Sequence, residues 1–260
     1  WGPYISPFQD PGREFWPDLI ASLPGFVWIA EVYWDMEWQL QRMGFQFTYD
    51  KRLYDRLRSS RPQEILAHLR ADLSYQTHLA RFLENHDEER SAAVFANGKL
   101  QAVATLIATL PGLRFYHQGQ MEARKIHLPI PLARAAEEPT DASVQAFYEK
   151  LLEISNQEVF HDGHWTLLDV RPAGDQTAAN LIGYRWDRDE TVALVAVNLS
   201  PQPSQGRIFP TLRVDHAKTY KLTDQIRGVT GERIGQEIVE NGLYVKLEAY
   251  GCHVFDIRPL

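Results

Sequence analysis

Up to about residue 157 the chain alternates short apolar runs with stretches in which apolar residues recur at helical spacing; beyond it they recur at every second position. Phe26-Val27-Trp28-Ile29-Ala30 follows a Pro24-Gly25 turn signal and is continuously apolar, as a strand covered on both faces requires. Further strands are expected at Gly44-Phe45-Gln46-Phe47-Thr48-Tyr49, at Arg81-Phe82-Leu83-Glu84-Asn85 and at Leu113-Arg114-Phe115-Tyr116. Helical patterns fill the intervals 36–43, 61–80 and 101–109, and a last one covers 142–155. Runs of this kind alternating with helices predict βα units and a parallel sheet. In the second part, 191–198, 243–247 and 252–256 read as strands bounded by Gly, Pro, Asn and Asp, which predicts an antiparallel sandwich. The expected boundary therefore divides residues 1–157 from 158–260. No internal repeat is visible. Four βα units make an open sheet or half of an eight-stranded barrel, since a complete one takes about 250 residues.

Composition narrows this only at the margins. The 260 residues are 44% hydrophobic and 23% charged, ordinary values for a globular protein with a sizeable core. The net charge of -7 argues against a nucleic-acid or anionic-membrane partner. A lone cysteine, Cys252, excludes a disulfide scaffold and leans toward a reducing, cytoplasmic setting. The opening Trp1-Gly2-Pro3-Tyr4 lacks the charged and apolar regions of a signal peptide. The most apolar helical stretch, 100–110, is far shorter than the roughly 20 residues that span a bilayer, so a soluble protein is expected.

In α/β architectures reactive groups sit beyond the C-terminal ends of the strands, where loops vary over a rigid support. The first run delivers Glu31, then Val32, Tyr33 and Trp34. The third delivers Glu84, Asn85, His86 and Asp87, and the fourth His117, Gln118, Gly119 and Gln120. Glu31 and Asp87 have one strand between them and would converge on one rim. Paired carboxylates flanked by aromatics suit glycosidic bond cleavage, one acid protonating the leaving oxygen while another carboxylate stabilises or attacks the oxocarbenium-like centre. Tyr33, Trp34 and Tyr49 offer flat faces to sugar rings. Each residue also has a plainer reading. Glu31 could pair with an arginine such as Arg114, Tyr33 and Trp34 could be packing residues, and His86 could be buried and bonded to backbone. Arg90 could be an exposed helix residue, and Glu88-Glu89 the acidic first turn of a helix. His161 and His164 read as loop residues.

The residues from Phe26 to Trp34 resemble the fifth-strand motif of the α-amylase family of glycoside hydrolases, which carries the general acid/base. Phe82-Leu83-Glu84-Asn85-His86-Asp87-Glu88-Glu89-Arg90 resembles the seventh-strand motif, and 111–120 is similar to the eighth-strand segment, with Gln120 where an acidic residue is often found. The resemblance implies the C-terminal half of a (β/α)8 TIM barrel (strands 5–8) followed by a β-sandwich. It implies Glu31 as acid/base, Asp87 as the transition-state carboxylate and His86 as its hydrogen-bonding neighbour. Substrates would be α-glucans or maltooligosaccharides, cleaved by a retaining double displacement. That mechanism needs an aspartate nucleophile within roughly 5 to 5.5 Å of the acid. Asp10 lies in a Pro/Gly-rich turn and Asp18 in the helix-like stretch 14–22, so neither follows an apolar strand. The expectation is a chain without the nucleophile strand, inactive alone, needing no cofactor or metal, and associating as a homodimer or with the missing N-terminal half.

Two rivals stand beside this reading. His86-Asp87 with His68 as a further ligand could be the metal doublet of an HD-type phosphohydrolase, although such proteins are all-helical. A non-catalytic glycan-binding or assembly module would keep the aromatic rim and drop the chemistry.

Overall fold

The computed structural model describes residues 14–59, 61–131, 134–210 and 215–260. Asp10 and the opening four residues lie outside them. Helix α1 (Phe15–Ser22), strand β1 (Ile29–Ala30), α2 (Glu37–Arg42), β2 (Phe47–Tyr49), α3 (Lys51–Ser59), α4 (Pro62–Leu69), α5 (Leu73–Gln76) and β3 (Leu79–Arg81) follow one another. After them come α6 (Ser91–Val94), α7 (Lys99–Thr109), β4 (Leu113–Arg114) and α8 (Ala142–Ser155). The four strands form one parallel sheet in sequence order, with β1 and β4 at its edges.

Side-chain alternation fixes what β1 presents. Trp28, Ala30 and Val32 share one face and pack with Leu40, Phe45, Trp16 and Ile20. Val27, Ile29 and Glu31 share the other, and Val27 and Ile29 are exposed there. The expectation of a strand covered on both faces fails at this edge among the described residues. It also explains the shortness of β1, for the Trp28 amide donates to the Gln46 side chain, not to a ladder carbonyl.

Two of the boundaries that differ from the sequence reading have a visible cause. The expected helix over 61–80 breaks at residues 70–72, where the Asp72 carbonyl starts α5 by accepting from the Tyr75 and Gln76 amides. The third strand ends at Arg81, because Glu84 and Asn85 turn their carboxylate and amide oxygen to the amides of the following loop. Helix α3, which is not among the expected helices, is started by Asp50, whose Oδ1 accepts from the Leu53 amide at 3.1 Å. Helix α8 spans the expected range, its first turn capped by Asp141.

After α9 (Val159–Asp162) the chain becomes antiparallel, through β5 (His164–Leu168), β6 (Val170–Arg171), β7 (Leu181–Arg188), β8 (Thr191–Asn198) and β9 (Ser204–Ile208). The series continues with β10 (Thr219–Asp224), β11 (Val229–Ile234), α10 (Gly235–Asn241), β12 (Leu243–Leu247) and β13 (Cys252–Pro259). A six-stranded sheet, β11-β10-β13-β8-β7-β5, faces a three-stranded one, β12-β9-β6. Leu194, Ala196, Leu222 and Ile257 meet Ile208, Leu243, Val245 and Leu247 between them.

The other face of the larger sheet is also covered. Val195, Val197, Tyr184 and Val254 join one cluster with residues of α7 and α8. Central strand β8 is thus apolar on both faces, whereas β12 alternates buried and exposed. Trp186 donates its indole N–H to the Thr109 carbonyl at 2.7 Å, and the Thr109 and Tyr184 hydroxyls lie 2.6 Å apart. These contacts lock α7 onto the sheet. No helix among the described residues is long and apolar enough to cross a membrane.

The parallel ladder is short, and a buried charge network ties it laterally. Asp50, just past β2, meets Nε of Arg81 on β3 at 3.2 Å and Nε2 of His68 on α4 at 3.0 Å. Arg81 also donates to the Gln76 side chain, and Gln76 donates to the His68 carbonyl. Burial alone would push the Asp50 carboxyl upward, but His68 and Arg81 outweigh it and hold the carboxyl below its ordinary value. A group so depressed contributes stability that is present above its unfolded pKa and lost as pH falls through the folded one. Asp50→Asn leaves a buried guanidinium unpaired and is expected to cost about 3 to 5 kcal/mol in denaturant unfolding. The variant should also lose part of the wild-type stability drop on acidification; an unchanged acid limb would show that Asp50 does not carry it.

Candidate active site

Glu31 follows β1 and Asp87 follows β3, so the parallel order of the sheet brings both loops to its C-terminal rim with β2 between. The carboxylate oxygens of Glu31 and Asp87 and a ring nitrogen of His86 all lie within 4.8 Å of one another. His86 Nε2 stands 3.8 Å from Glu31 Oε1 and 3.5 Å from Asp87 Oδ2. The three side chains are 42%, 44% and 51% exposed, so the group is open to a solute. Two carboxylates and an imidazole are an acid–base set, and the same three atoms would also suit a small cation.

The aromatics occupy distinct positions. The Tyr33 hydroxyl donates to Glu31 Oε1 at 3.1 Å. Burial, then the charge of Glu31, push its phenol above the usual range, so it remains a donor. Trp34 is 62% exposed and meets the Tyr33 ring edge-on at 5.6 Å. Trp34 and Asp35 both adopt left-handed backbone, at φ 62° and 67°, which costs on the order of 1 to 3 kcal/mol per residue and needs outside support. Arg52, at the start of α3, pairs with Asp35 beside this turn, and both side chains are exposed. Tyr49 is buried under the rim, its ring 5.2 Å from Phe82 and 5.9 Å from Phe115. Burial raises its pKa first, and then Glu31 and Asp87 do, which places its hydroxyl within their field.

The loop carrying His86 and Asp87 is fastened at both ends. Asn85 Oδ1 accepts from the amides of Asp87 and Glu88, both at 2.9 Å. Glu84, wholly buried, accepts from the Ser91 amide at 2.6 Å and meets Arg90 Nη1 at 3.0 Å. Arg90 also donates to the Gln118 carbonyl at 2.9 Å, and His117 Nδ1 lies 2.8 Å from Arg90 and 3.2 Å from Glu84. Gly119, at φ +87°, leaves the room this guanidinium needs, since a Cβ there would fall 2.5 Å from it.

Several plainer readings are corrected by these contacts. Arg90 is not an exposed helix residue but one half of a buried ion pair. Glu88 and Glu89 precede the Ser91 start of α6, and Glu88 pairs with Lys51 at 3.1 Å. Arg114 spends its guanidinium on the Ser155 and Phe160 carbonyls, so it does not neutralise Glu31. His86 is half-exposed. His68 is taken by Asp50 and Arg56, which leaves the His-Asp doublet without the third ligand of the phosphohydrolase reading. Gln120, buried, donates to the Tyr148 hydroxyl at 3.0 Å and accepts from the His117 amide at 3.3 Å. The Glu84–Arg90 clamp was missed in the sequence, where its signal was a carboxylate directly after an apolar run with an arginine closing the same motif.

No family model matches the chain, and no curated protein does. Solved structures do. An α-amylase from Geobacillus thermoleovorans, complexed with acarbose, is 15% identical with a TM-score of 0.73, covering 94% of this chain and 57% of its own. A maltogenic α-amylase from Thermotoga neapolitana is 19% identical with a TM-score of 0.69, covering the same shares. A debranching enzyme from Nostoc punctiforme is 16% identical with a TM-score of 0.66, covering 96% of this chain and 55% of its own. The chain therefore spans a little over half the length of these three structures. At these identities the likeness is one of fold: this mixed α/β chain, with one parallel and two antiparallel sheets, is similar to α-amylase-type glycosidase structures over nearly all of its own length.

Proposed function

We propose that the chain forms one side of the active site of a retaining glycoside hydrolase acting on α-glucans or maltooligosaccharides. The observation that carries the reading is the convergence of Glu31, His86 and Asp87 within 4.8 Å at the C-terminal rim of a parallel sheet. In this reading β1 to β4 are strands 5–8 of an eight-stranded barrel, residues 1–157 belong to it, and residues 158–260 are the following sandwich. Glu31 protonates the leaving oxygen and then, as carboxylate, takes the proton from the attacking water. Asp87 stabilises the positive charge that builds at the anomeric carbon. His86 donates to a sugar hydroxyl, Trp34 offers its exposed face to a ring, Tyr33 orients Glu31 and Tyr49 floors the site.

A double displacement also requires a carboxylate nucleophile. We place it on a strand pairing with the open edge of β1, where Val27 and Ile29 expose an apolar face. Unpaired parallel edges favour association with another chain or segment. The chain alone is then expected to bind sugar without turning it over.

Calorimetric titration with maltoheptaose checks the first part. Binding that weakens tenfold or more in His86→Ala and in Asp87→Asn is expected; no binding by the wild-type chain overturns the reading. Sustained release of reducing sugar that disappears in Glu31→Gln would instead show that the nucleophile lies within these residues. A further expectation concerns the clamp. Glu84→Ala unpairs buried Arg90 and is expected to cost about 3 to 5 kcal/mol in unfolding while weakening maltoheptaose binding. The double variant Glu84→Gln/Arg90→Met should recover stability more than affinity if the pair sets the position of His86 and Asp87.

A further inference from the structure

The antiparallel part holds a cavity that the glucan reading does not use. Cross-strand pairs Leu222–Gly231 and Asp224–Val229 place Val229, Gly231 and Arg233 of edge strand β11 on the face of Leu222 and Asp224. The pair Asp224–Phe255 adds Phe255 from β13. Glu232 falls on the opposite face by alternation. Strand β11 stays exposed along its length. Between it and Leu243 and Tyr244 of β12 the sandwich opens into a cavity of about 320 Å³, within the size range of small-ligand sites.

The chemistry of this cavity is cationic in a chain whose net charge is -7. Asp224 is the one carboxylate in its lining, beside Arg227, Arg233 and His253. Asp224 is itself buried and already engaged. It meets His253 Nδ1 at 2.7 Å, accepts from the Ile226 and Val254 amides, and stands 3.9 Å from Arg227. The Asp224 bond fixes the His253 ring, which packs on Phe255 with centroids 4.9 Å apart, and leaves its other nitrogen as the edge able to meet a ligand. Among the described residues Arg233 faces no carboxylate within ion-pair distance; its guanidinium donates only to the Glu232 carbonyl. Leu222, Leu243 and Phe255 supply an apolar floor.

We propose that this cavity binds a small phosphate monoester, its phosphoryl oxygens held by Arg227, Arg233 and His253 and its organic body lying on Phe255 and Leu222. Guanidinium forks match phosphate oxygens in geometry and charge, and an apolar floor favours a ligand with a body over the bare anion. The residues are distinct from the Glu31–His86–Asp87 group, so this proposal stands or falls independently of the glucan reading.

Gly231 provides a steric test. Its φ lies outside the left-handed region, and a Cβ built on it meets nothing within 4 Å, so Gly231→Leu fills the cavity from a strand position that tolerates a side chain. Titration with phenyl phosphate, inorganic phosphate and phenol is the measurement. Phenyl phosphate is expected to bind at least tenfold more tightly than either of the others. Its affinity should fall tenfold or more in Gly231→Leu and, separately, in Arg227→Gln/Arg233→Gln, with the latter still folded by circular dichroism at the titration temperature. Equal affinities for phenyl phosphate and inorganic phosphate, or an affinity that the double arginine variant leaves intact, would overturn the proposal.

Discussion

Strands of two or three residues make few ladder hydrogen bonds, so the parallel sheet depends on a side-chain tie between its middle strands. The Asp50–Arg81 pair is that tie. It starts α3, engages α4 through His68, and fixes the spacing of β2 and β3. Being buried on both sides, it tolerates no halfway state: an intact pair roughly offsets its own desolvation, while a broken one leaves a charge in the core. The positions of Glu31 and Asp87, on either side of β2, inherit their separation from this arrangement.

The two walls of the candidate site are held by different physics. On the Asp87 side, Glu84 and Arg90 bracket the loop and Asn85 occupies its amides, so both ends of the loop are fixed in the interior. On the Glu31 side, the strand is an edge, the following residues carry left-handed backbone at Trp34 and Asp35, and the support is an exposed ion pair to Arg52. Exposed pairs contribute little. The wall that carries Glu31 is therefore the softer one, and its side chain depends on the Tyr33 hydroxyl for orientation.

What could be read in the sequence follows from how many residues each feature averages over. Helix α8 and strands β8 and β12 fall at their expected bounds, because long periodic segments and a capping aspartate give redundant signals. Rim residues Glu31, His86 and Asp87 were legible as acids and a histidine following apolar runs. The third strand was placed two residues late at its start and four at its end, the latter because Phe82 and Leu83 are as apolar as a strand and only the loop amides show that pairing has ended. Helix α3 does carry a helical stripe in Leu53, Tyr54 and Leu57, but it is short and set among lysine and arginines, so it went unread. The clamp of Glu84 and Arg90 and the tie of Asp50 and Arg81 were hidden for one shared reason: a charged residue looks solvent-facing until its partner, distant in sequence, is placed beside it.

The exposed apolar face of β1 bears on how such a site can work. Val27 and Ile29 share their face with Glu31, so whatever covers that face also controls the dielectric around the carboxylate. Left open, the Glu31 carboxylate is 42% exposed and faces water. Covered, the same carboxyl would gain apolar neighbours on one side and keep the Tyr33 donor that orients it on the other. In the proposed reading, the segment that brings the nucleophile to the open edge of β1 also sets the surroundings of the acid, so one contact serves both.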